Sequence, residues 1–159
     1  MYMKTNSPKS EPRLKMQSVF RYMMEAGYYP QFEYTHIQFD INGCIAVLEI
    51  EDGFASIRLF FSIDEAEYDL FIEASNMTML KTYAVKPAVM DDRQNIVFSY
   101  EFLCDDIRAF RKIFPRAVEQ MEYALETHRE EMRRLKTGRQ QNKLPDIDDL
   151  MSGSRKILS

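Results

Sequence analysis

The sequence predicts an α+β domain: an antiparallel five-stranded meander with helices on one face. Its order is α-β-β-β-α-β-β-α, and a long C-terminal helix closes it. Three observations carry this. Alternating apolar runs are separated by tight-turn dipeptides at Asn42-Gly43 and Asp52-Gly53. The helical stretch FIEASNMTML, residues 71–80, lies between strand-like runs rather than outside them. From residue 107 onward, apolar positions recur at steps of three and four, close to a heptad seam.

Each element has a local reason. Residues 1–9 are polar, carry Pro8 and are expected to be a flexible leader. Ser10 is an N-cap for a helix that tolerates Pro12 in its first turn. Leu14, Val19, Phe20, Met23 and Met24 follow at roughly helical spacing. Gly27 and Pro30 then stop the helix. FEYTHIQFDI forms the first strand, CIAVLEI the second and FASIRLFFSI the third. The third has Ala55, Ile57, Leu59, Phe61 and Ile63 on one face, and Phe54, Arg58 and Phe60 on the other. A strand apolar on both faces belongs in the middle of a sheet, or under cover on each side.

Asp64 caps the next helix, with Glu65 and Glu67 in its first turn. Tyr68, Phe71, Ile72, Ser75 and Met79 recur at helical spacing. Strands over 82–90 and 95–102 flank the loop DDRQN. The last helical run, from Cys104 to Leu135, is interrupted by Pro115. An interior proline costs about 3 kcal/mol, so either a kink or a short helix 105–113 followed by a long one is expected. Residues 10–137 are the folded domain in this reading, and 138–159 a mostly disordered tail.

Composition excludes some classes. The chain has 159 residues, 45% hydrophobic and 13% aromatic, enough for a single core. Its formal charge of −4 gives no general attraction to nucleic acid or acidic membranes. Charge is uneven: Arg129 to Lys143 holds six basic and two acidic residues. The N-terminus lacks the apolar stretch of a signal peptide, and no apolar run reaches the roughly 20 residues of a membrane helix. Cys44 and Cys104 form no CxxC pair, so two reduced thiols in a cytoplasmic protein are expected.

The segments MEAGYYPQFE, INGCIAVLEI, SIRLFFSI, LFIEASNMTML with Asn76, and KTYAVKPAVMDDRQNIVFSYEF together resemble the YbjN-like family. That family has the type III secretion chaperone-like fold, and the resemblance covers about residues 14 to 125. Where its members often carry a second Asn, this chain has Met79 and Leu80. The resemblance implies a small, commonly dimeric, protein-binding module without catalytic residues. Some relatives carry the label of sensory transduction regulators.

Candidate chemistry is sparse. Asn76 is either a helix-end residue satisfying the backbone or a contact in a partner groove. His36 and His128 stand alone, with no metal-ligand spacing around them, and His128 falls on the apolar seam as a packed or pH-sensitive group. Neither cysteine has an evident activating base. Asp91-Asp92 fits a turn and Asp105-Asp106 a helix cap. Asp146, Asp148 and Asp149 lack the glycine and terminal glutamate of a calcium loop. No phosphate-cradling glycine motif occurs, so no cofactor is expected.

The 11 methionines either fill the core or build an adaptable binding surface. The expected function is therefore a non-enzymatic, chaperone-like protein-binding module, working as a homodimer through the two-faced sheet or the helix seam. The expected contact set is Met23, Met24, Phe54, Phe60, Asn76, Met77 and Met79. LPDIDDLM is a second, linear interaction element or plain tail. Two alternatives remain open: an enzyme with an unrecognised site, and a nucleic-acid-binding regulator using Arg129, Arg133, Arg134, Lys136 and Arg139.

Overall fold

The computed structural model describes residues 14–141. The expected leader, the Ser10 cap, Pro12 and LPDIDDLM lie outside them. α1 spans Met16–Glu25 and ends in a Schellman arrangement. Gly27 takes φ 82°, its N–H donates to the Met24 carbonyl (3.2 Å), and the Tyr28 N–H donates to the Met23 carbonyl (3.0 Å).

The chain then lays down β1 (Gln31–Glu33), β2 (His36–Ile41), β3 (Cys44–Glu51) and β4 (Phe54–Ser62) as a meander. The single strand expected over FEYTHIQFDI is two strands. The backbone turns at Tyr34-Thr35, where Tyr34 takes φ 47° and is fully exposed. Among the described residues the sheet therefore has six strands rather than five. Asn42-Gly43 and Asp52-Gly53 both have positive φ at each position, as two-residue hairpin turns require.

A 3-10 turn at Glu65–Glu67 follows, and Asp64 Oδ1 accepts the Ala66 N–H across it (3.0 Å). It leads into α2, Tyr68–Lys81. Then come β5 (Val85–Val89), β6 (Asn95–Leu103) and α3 (Ile107–Gln141). The sheet order is β1-β2-β3-β4-β6-β5, with every neighbouring pair antiparallel. The final hairpin is thus not a continuation of the meander: β5 takes the outer edge and β6 returns to pair with β4. Pro87 in β5 accounts for this, because a residue without an N–H belongs at an edge.

The three helices of the described residues all pack on one face. Ile37, Phe39, Ile41, Leu48, Ile57 and Leu59 point into that face and are buried. They meet Val19 and Met23 of α1 and Phe110, Phe114 and Met121 of α3. α2 buries Leu70, Ala74, Ser75 and Thr78, a stripe rotated from the expected one. Thr78 and Thr82 are tolerated inside because each hydroxyl donates 2.8 Å to the carbonyl four residues back.

α3 is one helix through Pro115, not a short helix followed by a long one. Burial of Phe110 and Phe114 before the proline, and of Ala117 and Val118 after it, opposes the lost hydrogen bond. Each large side chain contributes about 1.5–3 kcal/mol. The helix also continues past residue 137, to Gln141.

The turns give a graded prediction. Gly43 and Gly53 have φ 82° and 79°. A Cβ at Gly43 would meet nothing within 4 Å, whereas one at Gly53 would lie 3.0 Å from Asp105 Oδ1. Gly43→Ala should cost about 1–2 kcal/mol from backbone strain alone. Gly53→Ala should cost more than Gly43→Ala, as measured by urea unfolding of both variants.

Candidate partner-binding face

Strand alternation sends every second side chain to the face that carries no helix among the described residues. On β4 those residues are Phe54, Ser56, Arg58 and Phe60. The register places Arg58 between Val47 and Ser99, with Lys86 opposite Ser99. Ser56 sits between Glu49 and Glu101, Phe54 between Glu51 and Leu103, and Phe60 beside Val97. A charged belt therefore crosses the middle of the face, with apolar side chains towards both ends. Phe54, Phe60, Ile45 and Leu103 are 55%, 52%, 68% and 69% exposed.

The belt is internally neutralised. Arg58 bridges Glu49 (3.3 Å) and Glu101 (3.7 Å), and Lys86 meets Glu101 at 2.9 Å. Lys86, and after it Arg58, holds the Glu101 carboxyl below its ordinary range. Such exposed pairs stabilise the fold by only about 0–1 kcal/mol each, so the belt contributes mainly orientation. An open depression of about 410 Å³ borders Phe54, Ser56, Arg58 and Glu101. Ser56 Oγ is buried there without a hydrogen-bond partner among the described residues.

The expected contact set does not form one surface. Phe54 and Phe60 share the open face. Met23 is 0% exposed and belongs to the core, so it cannot touch a partner in this conformation. Met24 is exposed on α1, and Met79 is exposed and Met77 half-buried on α2, all on the helical side of the sheet. Asn76 is exposed in the interior of α2 and does not end the helix. The face also contains Ile45, Leu103, Ser56 and the four charged residues, none of which the expected set includes. Their signal was strand parity: all point the same way as Phe54 and Phe60.

The helix seam is already occupied. Phe110, Phe114, Val118, Met121, His128 and Met132 are buried within the chain, which leaves this stripe no room for a second copy. Of the basic residues, Arg134 bonds Glu131 (2.7 Å) and Lys136 bonds Glu67 (2.8 Å). Arg129, Arg133 and Arg139 are exposed and make no ion pair among the described residues.

His128 joins α3 to α2. Its Nε2 lies 3.3 Å from Ser75 Oγ, and its ring stacks on Phe71 and meets Phe98 edge-on. Burial pushes its pKa down to about 4, against the opposing effect of a hydrogen bond to the Phe71 backbone. A serine beside a histidine suggests a nucleophile and its base, but a nucleophile must reach substrate and its base needs an orienting group. Ser75 and His128 are both buried, and the ring's further bond goes to backbone rather than to a carboxylate. Cys104 is also buried, its thiol aimed at the Asp106 carbonyl (3.4 Å) and its pKa raised by burial. His36 is half-buried with Gln38 as its neighbour (3.4 Å).

No family model and no curated protein sequence matches the chain. Solved structures do. YbjN from E. coli, described as a candidate transcription regulator, superposes with a TM-score of 0.58 at 10% identity. The match covers 69% of this chain and 87% of YbjN. An uncharacterized protein from Methanothermobacter thermautotrophicus matches with a TM-score of 0.54 at 11% identity, over 74% of this chain and 96% of that one. The chain has the YbjN fold.

At this identity the likeness to YbjN establishes architecture alone. The open face and the His128–Ser75 contact are read from this chain's own residues. No helix among the described residues is long and apolar enough to cross a membrane.

His128 makes stability depend on pH. The unfolded chain takes up the proton near pH 6.5, while the folded chain resists it down to about 4. Stability from this group is therefore complete above pH 6.5 and is lost as pH falls towards 4. At 1.36 kcal/mol per pKa unit the loss is on the order of 3 kcal/mol. Urea midpoints measured from pH 7 to pH 4 should fall steeply for the native chain. The slope should be shallower for His128→Phe.

Proposed function

We propose that the chain is a non-enzymatic, chaperone-like module that captures a polypeptide through the helix-free face of its sheet. The observation that carries this is four large apolar side chains left exposed on one face of the sheet, around a belt in which Arg58, Lys86, Glu49 and Glu101 pair with one another. Exposed apolar clusters of this kind suit protein contacts. Strand addition at the edges is a poorer route: β1 has three residues, and β5 carries Lys86 and Pro87. A second copy is the simplest occupant, because a face with both charge signs and apolar ends can match itself across a twofold axis. A client segment would compete for the same surface. The expected site is the cytoplasm, and the expected role is regulatory by analogy with YbjN.

A second reading has its own observation. Arg129, Arg133 and Arg139 are exposed at the end of α3 and free of ion pairs among the described residues. They suit contact with a polyanion, and YbjN is described as a candidate transcription regulator. Salt-sensitive retention on DNA that disappears in Arg129→Gln/Arg133→Gln would favour this reading.

The face is tested by Phe60→Asp and Leu103→Asp. Both positions are exposed, so stability should change by roughly 0.5 kcal/mol or less. The native chain should self-associate in light scattering across a concentration series, and the double variant should remain monomeric. Equal association of both proteins would remove the sheet face from the reading.

A further inference from the structure

A second concavity lies on the helical side, between the N-terminal half of α2 and the C-terminal half of α3. This open groove has a volume of about 280 Å³, near the lower end of the ~300–1,000 Å³ usual for small-molecule sites. Its walls are apolar: Phe61 and Phe98 from the sheet, Phe71 from α2, and Leu125 and Met132 from α3. His128 also lines it, with its polar atoms engaged by Ser75 and the Phe71 backbone. The lining therefore offers mainly aromatic and aliphatic surface.

Charge at the rim has one sign in excess. Arg129 and Lys136 both line the groove. They are two helical turns apart on α3, roughly 10 Å at 1.5 Å per residue. Lys136 is committed to Glu67, whereas Arg129 makes no ion pair among the described residues. The glutamates on the same helix, Glu126 and Glu130, line a separate depression around Lys81. An apolar trough with a guanidinium at its lip matches a ligand with an apolar body and an anionic end. A planar guanidinium suits a carboxylate in particular, because it can donate two parallel hydrogen bonds.

We infer that this groove binds a small amphipathic carboxylate, its hydrocarbon chain against Phe71, Phe98 and Met132 and its carboxylate on Arg129. This site is distinct from the sheet face and does not depend on it.

Cys44 gives the readout. It lines the groove and is half-buried, whereas Cys104 is buried elsewhere in the core. The rate at which N-ethylmaleimide modifies Cys44, located by peptide mass mapping, should fall several-fold in the presence of decanoate. Acetate, which lacks the chain, and decanol, which lacks the charge, should protect much less. Arg129→Gln should weaken decanoate protection about tenfold, and Arg129→Lys should recover part of it. Arg129 is exposed, so neither variant threatens the fold. Equal protection by decanol, no protection by decanoate, or an Arg129→Gln variant protected as well as the native chain would each overturn the inference.

Discussion

Packing of α3 across one face of the sheet is the contact on which the other elements depend. Phe114 sits at its centre, with its ring 4.8 Å from Phe110, 4.9 Å from Tyr28 and 5.3 Å from Phe39. One side chain thus ties α3 to β2 and to the turn that follows α1. Farther along, Met121 and Ala124 continue the contact. His128, Met132 and Leu135 then turn it towards α2. The helix serves two neighbours in succession, which explains its length and why its apolar seam persists past Pro115.

That commitment determines what remains for function. A helix whose seam is spent on its own sheet cannot also form a coiled coil with another copy. Among the described residues no helix covers the opposite sheet face, because all three pack on one side. Its charged belt keeps it from being a continuous apolar surface, and Arg58, Glu49, Glu101 and Lys86 neutralise one another. A partner meeting this face would remove Phe54, Phe60, Ile45 and Leu103 from water while the charges at its centre stay paired with one another. Desolvating an unpaired charge is what usually makes polar interfaces costly.

Much of this was legible where the signal is local. Asn42-Gly43 and Asp52-Gly53 specify hairpins through backbone conformation alone, and both formed. The seam of α3 was legible from period. The break at Tyr34-Thr35 was not, because the residues around it continue to look like strand and the left-handed residue is a tyrosine rather than a glycine. Strand order was not legible either: the connection through α2 is long enough to deliver either strand of the last hairpin to β4. Only Pro87 hinted that β5 lies outside. Met23 and Met24 show the same limit on a smaller scale. They are adjacent and chemically identical, and helical rotation buries one and exposes the other.

The Ser75–His128 contact shows why α2 is polar where it packs. A helix lying against both α3 and β5 must come close to each, and Ala74, Ser75 and Thr78 are small enough to allow this. Ser75 then needs a partner, and Thr78 satisfies itself on its own helix. His128 supplies that partner from 53 residues away, a distance at which no sequence period connects the two. Burial lowers its pKa, so the imidazole stays neutral between Phe71 and Phe98. The histidine on the seam is therefore a structural clamp between two helices, and it also lines the groove that pairs aromatic walls with Arg129.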